Sequence, residues 1–257
     1  MKPLVDLDGG GVSAVLFDID DTLTTHGRLT AQAYAALEQL QQRGKRRVAV
    51  TGRPAGWCDH IARMWPVDGV VGENGAFYFR FHDGRLEKRY RDPPEVRLRN
   101  RARLDAIGRD ILQTVPGSAL ASDQPYRETD LAIDYCEDVS PLPLEAAERI
   151  AALMRQAGLH AKLSSIHVNG WFGDYDKLGM ARQLFAEAFG LDLDRARESI
   201  VYIGDSPNDA PMFGYFPRSI GVANVRRFAG RMSAFPAFVT QAEAGAGFAE
   251  AVTHLLR

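Results

Sequence analysis

The sequence predicts an α/β protein built on a doubly wound parallel sheet, interrupted by an inserted α/β layer. Three observations carry this prediction. Over roughly the first ninety residues, apolar runs of strand length alternate with amphipathic helical stretches, the pattern of a parallel sheet. At Arg91-Asp92-Pro93-Pro94 the alternation gives way to a mixed α+β segment. From Lys177 it resumes and continues to the C-terminus.

In chain order, Ala14-Val15-Leu16-Phe17 reads as a buried strand that stops on Asp18, Asp20 and Asp21. Ala31 to Arg43 spaces Ala33, Leu37 and Leu40 along one helical face, and Gly44 closes it. Val48 to Val50 is a second strand, ending at Thr51-Gly52-Arg53-Pro54, where the proline opens a helix through Met64. Gly69 to Val71 is a third strand, and "GENGAFYFRFHDGRLEKRY" reads as a hairpin turning at Asp83-Gly84. Residues 95–173 read as a helix to Val115, a strand Leu131 to Tyr135, a helix Leu144 to Ala157, and strands Ala161 to Ser164 and Ile166 to Val168. The final stretch reads as a helix Lys177 to Phe189, the strand "SIVYIGD", a helix around Ala210 to Phe213, the strand "SIGVA" and a last helix to Leu256. The expected division is a flexible leader 1–11, hinged at Gly9-Gly10-Gly11, a first core segment 12–90, an insertion 91–173 and a second core segment 174–257. "DLDGG" (Asp6 to Gly10) has no long apolar strand before it and is expected as solvated leader.

Composition narrows the function. With 46% hydrophobic and 25% charged residues the chain reads as globular, and a formal net charge of -2 leaves no basic footprint for nucleic acid. Cys58 and Cys136 lack metal-ligand spacing and suit a reducing compartment. No run approaches the ~18 apolar residues of a membrane span, so the expectation is a cytoplasmic protein without a membrane partner. Oligomeric state is not legible.

The chemistry concentrates where strands end. Two carboxylates ~4 Å apart repel by roughly 4 kcal/mol at an effective dielectric of 20, so three within four positions need a cation, a task or solvent. Open parallel sheets bind ligands beyond the carboxyl ends of their strands. That edge carries Asp18 and Asp20 after the first strand, Thr51 after the second, and Asp205 and Asp209 after "SIVYIGD", while Lys177 heads the helix leading into that strand. Acidic oxygens gathered in this way suit Mg²⁺, which keeps waters and accepts substrate phosphate.

"DIDDTLT", "TGR", Lys177 in "DYDKLGMA" and "GDSPND" resemble, in order and spacing, the four motifs of the haloacid dehalogenase-like superfamily of aspartate-nucleophile phosphatases. The resemblance runs from Val12 to the C-terminal tail, and the insertion is similar to the type IIB cap of sugar-phosphate phosphatases and phosphomannomutases. It implies a Rossmann-like core with a mobile cap, and a Mg²⁺-dependent phosphatase acting on a sugar phosphate or related small metabolite. Asp18 is then the nucleophile that forms an aspartyl-phosphate, and Asp20 the acid that protonates the leaving alkoxide and later activates water. Thr51, Gly52, Lys177 and Asn208 hold the phosphate. The metal rests on Asp18, the Asp20 backbone carbonyl and Asp205, with Asp209 behind them. Asp21 departs from the pattern, standing where many members have glycine. Nearest rivals are a phosphomutase of the same superfamily and, from another class, a phospho-aspartate switch, whose domains are about half this length.

Substrate readers are less sharply marked. Arg53 is a candidate beside the phosphate, and Asn74 in "ENG" is either a turn residue or a hinge facing the site. His167 and Asn169 alternate onto one strand face just ahead of Lys177. Arg127 and Glu128 are further candidates, whereas Arg97 to Leu104 reads as a solvated helix face.

Overall fold

The computed structural model describes residues 1–164 and 166–257. The elements run β1 (Lys2–Pro3), β2 (Ala14–Phe17), α1 (Ala31–Gln42), β3 (Arg46–Val50), α2 (Ala55–Met64) and β4 (Gly69–Gly72). Next come β5 (Phe77–His82), β6 (Arg85–Tyr90), α3 (Pro94–Thr114), β7 (Ala119–Leu120), β8 (Asp130–Asp134) and α4 (Leu144–Gln156). The chain continues through β9 (His160–Leu163), β10 (His167–Trp171), α5 (Lys177–Phe189), α6 (Leu193–Ala196) and β11 (Ile200–Gly204). It closes with α7 (Ala210–Tyr215), β12 (Ile220–Gly221), β13 (Phe238–Val239) and α8 (Ala244–Leu255).

Nine strands form the larger sheet in the order β1-β13-β12-β11-β2-β3-β4-β5-β6. It is parallel from β1 to β4, and the antiparallel hairpin β5–β6 extends it. Successive residues of a strand face opposite sides, and both sides are buried. Val15, Phe17, Ala49 and Ile203 therefore pack with Leu37, Ile61 and Phe248 on one face. Leu16, Val48, Val50 and Tyr202 pack with Met180, Phe185 and Met212 on the other. This is the doubly wound arrangement that the alternating sequence implies.

The smaller sheet has the order β7-β8-β10-β9 and is antiparallel throughout. It has its own core, in which Leu104 and Ile111 of α3 and Ile150 and Met154 of α4 cover Leu131, Ile133 and Val168. This unit is joined to the larger one by two chain crossings.

The leader requires a correction. Expected as flexible, it instead docks on the sheet edge: Lys2 and Pro3 pair with Phe238 and Val239, and Leu4 and Leu7 are buried with Phe248 and Leu255. Residue 5 remains exposed, as do Asp6 and Asp8. The physical reason is that β13 offers an open parallel edge and α8 an apolar flank. A two-residue strand has no periodicity by which a sequence could announce it. Among the described residues no helix is long and apolar enough to cross a membrane.

Candidate active site

Register puts the acidic residues together. Phe17 is level with Ala49 of β3 and Ile203 of β11, so the three strands end nearly side by side. Asp18, Thr51 and Asp205 are the next residues out, and the Asp18 N–H still donates to the Ile203 carbonyl at 2.9 Å. The chain then turns sharply, with Asp21 at φ 54°. That left-handed conformation explains why glycine is the favoured residue there, and why a short carboxylate is tolerated.

Lys177 is brought to the same point by the start of α5, where Asp176 accepts from the Gly179 N–H at 2.7 Å. Its Nζ is 2.8 Å from Asp18 Oδ1 and 2.8 Å from Asp209 Oδ1. Asp209 also accepts from Tyr202 Oη at 2.6 Å and from the N–H groups of Asp205 and Ser206. Asp205 accepts only neutral donors, Thr22 Oγ1 at 3.3 Å and Asn224 Nδ2 at 3.1 Å. One carboxylate oxygen from each of Asp18, Asp205 and Asp209 lies within 4.8 Å of the others.

The electrostatics of this cluster are unbalanced. Burial pushes the Asp18 carboxyl up to about 8, helped by repulsion from Asp209 and Asp20 and only partly opposed by Lys177. Asp205 is likewise raised, first by burial and then by Asp209, Asp18 and Asp21. Lys177 is held in its charged form by Asp18 and Asp209 against the opposing effect of burial. Three buried carboxylates facing one ammonium, with oxygen lone pairs left on Asp18 and Asp205, fit a hard divalent cation.

Above Asp18 lies a cavity of about 20 Å³, room for roughly one water. Of the sequence-predicted residues, its walls include Asp18, Asp20, Gly52, Arg53, Asn208, Arg127, His167 and Asn169. Thr51 and Lys177 lie buried beneath, and the Thr51 hydroxyl accepts from the Arg53 N–H at 3.0 Å. Asn74 does not line the cavity: its side chain packs under Gly52, and its N–H donates to the Thr51 carbonyl at 3.1 Å. Glu128 is also outside, bonded to Tyr90 at 2.9 Å and to Arg97. Beyond Asp20, Arg53 and Ile166 opens an outer cleft of about 370 Å³ that also touches Glu137 and Cys136.

Arg53 is not free to meet a substrate in this closed arrangement. Its Nε and Nη2 clasp Asp20 at 2.9 and 2.8 Å, while Nη2 reaches Glu137 at 2.8 Å and Nη1 reaches Asp123 at 3.2 Å. His167 Nε2 sits 2.8 Å from Glu137 Oε2, although out of line for a good hydrogen bond. Arg127 spans the same seam, reaching Asp123 at 2.9 Å, Asp130 at 3.0 Å and the Gly52 carbonyl at 2.9 Å. Asn169 donates to Asp130 at 3.0 Å.

Sequence reasoning missed Asn224, Tyr202, Asp123, Glu137 and Glu73. Asn224 follows β12 at the carboxyl edge of the sheet, so the rule that found Asp205 applies to it as well. Glu73 sits in "ENG", where attention fell on Asn74. Glu73 and Asn74 both have left-handed backbone, φ 42° and 58°. For a glutamate this costs on the order of 1–3 kcal/mol, which marks the turn as more than a connection. Gly75 follows because a side chain there would fall 2.0 Å from the Asp176 carbonyl, next to Lys177.

Residues 15–95 match the model of the haloacid dehalogenase-like hydrolase family. The Thermoplasma acidophilum protein 0175 is similar in fold at TM-score 0.72 and 17% identity, over 96% of this chain and 99% of its own. A HAD subclass IIB sugar phosphatase is similar at TM-score 0.63 and 14% identity, covering 95% and 98%. The sucrose-phosphatase of Synechocystis sp. PCC6803 is similar at TM-score 0.61 and 15% identity, covering 94% and 97%. No curated protein sequence matches the chain. The family match thus covers residues 15–95, and the whole chain shares the fold of these solved structures.

Proposed function

We propose that the protein is a Mg²⁺-dependent phosphatase that hydrolyses a small phosphate monoester, a sugar phosphate or related metabolite, through an aspartyl-phosphate. The observation that carries this reading is Lys177 Nζ held 2.8 Å from both Asp18 and Asp209, in a buried carboxylate cluster that faces a cap. Structural neighbours that are sugar and sucrose phosphatases support the substrate class.

The residues take complementary parts. Asp18 attacks phosphorus, a new O–P bond forms, and the P–O bond to the leaving alkoxide breaks as Asp20 supplies its proton. A water then gives a proton to Asp20 and attacks the same phosphorus, returning Asp18 as carboxylate and releasing inorganic phosphate. Lys177, Thr51, the Gly52 backbone and Asn208 hold the non-bridging oxygens. Asp18, Asp205 and the Asp20 carbonyl would hold a Mg²⁺ ion, which would supply neutralisation of charge on the transferred group. Asp209 fixes Lys177 and the turn carrying Asp205.

Two consequences follow from the closed cap. A cavity of about 20 Å³ admits no sugar phosphate, so the cap must lift for substrate to enter. Arg53 must also release Asp20 before that carboxyl reaches a leaving oxygen. The outer cleft behind Arg53 and Glu137 then offers space for the part of the substrate that does not react. The deciding experiment is phosphate release across a panel of phosphorylated metabolites and para-nitrophenyl phosphate with Mg²⁺. Many turnovers on at least one hexose phosphate are expected; no release from any ester overturns the reading.

A further inference from the structure

Glu73 is fully buried and lies outside the chemical cluster, yet its carboxylate is the most heavily bonded in the molecule's seam. Oε1 accepts from the Ala55 N–H, the first residue of α2, at 2.9 Å, and from the Glu128 N–H at 2.9 Å. Oε2 accepts from the Thr129 N–H at 2.6 Å, the Asp130 N–H at 3.2 Å and the Thr129 hydroxyl. One donor belongs to the core. The other four come from a single cap segment, three of them successive backbone N–H groups curled around one anion.

A glutamate that merely closes the end of α2 has no use for those four. Three consecutive N–H groups pointing at a carboxylate form a nest for an anion, and here the anion belongs to the other folding unit. The seated segment then organises the cavity wall. Asp130 takes the Arg127 guanidinium at 3.0 Å and Asn169 at 3.0 Å, and Arg127 in turn reaches the Gly52 carbonyl. Arg127 and Asn169 both line the cavity. From Glu73 to these two side chains the path is hydrogen-bonded at every step, and Gly75 braces the same turn against the backbone before Lys177.

We propose that Glu73 is a positioning residue: it is the core pivot on which the 127–130 segment of the cap seats, and it thereby sets Arg127 and Asn169 against the leaving group. This rests on the phosphatase reading above, since a leaving group is what those residues meet. A pivot of this kind governs recognition of a substrate large enough to touch the cap. It leaves phosphorus chemistry on a small ester to the core.

The test compares wild type, Glu73→Gln and Thr129→Ala on two probes, para-nitrophenyl phosphate and the hexose phosphate best hydrolysed in the panel. Glu73→Gln keeps the shape but turns an amide NH₂ toward N–H donors. It is expected to lower kcat/KM on the hexose phosphate about 30-fold, mostly through KM, and to leave the aryl ester within about threefold. Thr129→Ala, which removes one donor from the cap side, shifts the same ratio by about threefold. Equal losses on both probes, or none on either, overturn the proposal. Hydrogen exchange at the 128–130 amides provides a readout that needs no activity. Faster exchange there in Glu73→Gln, with β9 and β10 unchanged, is expected; unchanged protection in both variants overturns the pivot. If wild type hydrolyses neither ester, the phosphatase reading fails by itself and the exchange result still decides the pivot. If Glu73→Gln does not fold, Thr129→Ala decides by the same two measurements.

Discussion

Two clusters of buried charge, one in the core and one in the seam, are solved differently. In the core, among the described residues, Asp18, Asp205 and Asp209 share one ammonium, that of Lys177, and Asp18 and Asp205 are raised well above ordinary carboxylates. In the seam between core and cap, every carboxylate is taken up. Asp123 bonds Arg53 and Arg127, Asp130 bonds Arg127 and Asn169, Glu137 bonds Arg53, and Glu73 collects backbone N–H groups. The first arrangement is costly until a cation arrives. The second is satisfied as it stands, and must be taken apart for substrate to enter. On the proposed function, unmatched charge marks the place of chemistry and matched charge the place of movement.

The seam itself has two sides. Around Glu73 the bonds are backbone N–H to carboxylate and close to the chain crossings at Asp92 and Tyr175. Around Arg53 they are side chain to side chain, beside the outer cleft. We read the first as pivot and the second as latch.

The largest effects should come from the unmatched cluster. Asp18→Asn replaces the attacking oxygen by a poor nucleophile of the same shape, and turnover should fall by on the order of 10⁴-fold or more with the fold intact. Substantial residual phosphate release in that variant would remove the covalent step. Chelation should likewise silence the enzyme, Mg²⁺ should restore it, and Ca²⁺ should not, because its longer and looser coordination misplaces Asp18. Full activity in excess chelator contradicts the contrast between the clusters at its root.

Next in size is the latch. Arg53→Lys keeps the charge but not the fork, so one ammonium cannot hold Asp20, Asp123 and Glu137 together. A loss of about 30-fold in kcat/KM is expected on the hexose phosphate, by the energy of a broken charged network. The guanidinium lies 4.4 Å over the Trp57 ring, so tryptophan emission should change as well. An unaltered spectrum with unaltered kinetics shows that Arg53 holds nothing that matters.

Acidity separates latch from pivot by sign. Burial alone would raise Glu137, but the adjoining His167 ring and the Arg53 guanidinium bring it down to about 2. The latch therefore stabilises the closed form above pH 4.5 and loses that contribution as pH falls towards 2. Glu73 is pushed the other way, up to about 7, by burial and the Asp130 charge, against Thr129, Arg127 and the Glu128 N–H. The stability tied to its protonated form is complete below pH 4.5 and fades as pH rises through 7, above which the N–H groups hold the carboxylate. Melting temperature against pH should show both slopes. Glu137→Gln should flatten the acid one, and Glu73→Gln should lessen the one between 4.5 and 7, to which Asp18 and Asp205 also contribute. A variant that flattens neither has the wrong residue assigned to its side.

Much of this was legible in sequence because it is local. Strand, turn and helix starts leave periodicity and punctuation, so "AVLF" stopping on Asp18 and "VYIG" stopping on Asp205 announced the sheet edge. The order of the sheet then did the gathering. The seam left no such trace. Glu73 meets Glu128 to Asp130 across more than fifty residues, and Arg53 meets Glu137 across more than eighty. Nothing in either segment says which acid among 33 Asp and Glu faces which partner. The docked leader was missed for a related reason: two residues on an edge are specified by the edge.

The smallest effects should come from the two cap residues that the sequence paired as equals. His167 and Asn169 do share one strand face, but the structure sends them to opposite sides of the seam. His167 belongs to the latch through Glu137, and Asn169 to the pivot through Asp130. His167→Ala removes a ring whose Nε2 is poorly aligned, and Glu137 keeps Arg53, so little is lost. Asn169→Ala leaves Oδ2 of fully buried Asp130 with Arg127 as its remaining donor and removes a polar side chain from the cavity wall. A lost polar contact of about 1–1.5 kcal/mol corresponds to roughly tenfold in kcat/KM, expected for Asn169→Ala on the hexose phosphate. About threefold is expected for His167→Ala, by a weaker contact of the same kind. Neither should disturb para-nitrophenyl phosphate, whose aryl group offers no hydroxyls for these side chains to bond. Equal losses in the two variants would join pivot and latch into one surface, and a larger loss for His167 would move recognition of the leaving group to the cleft side.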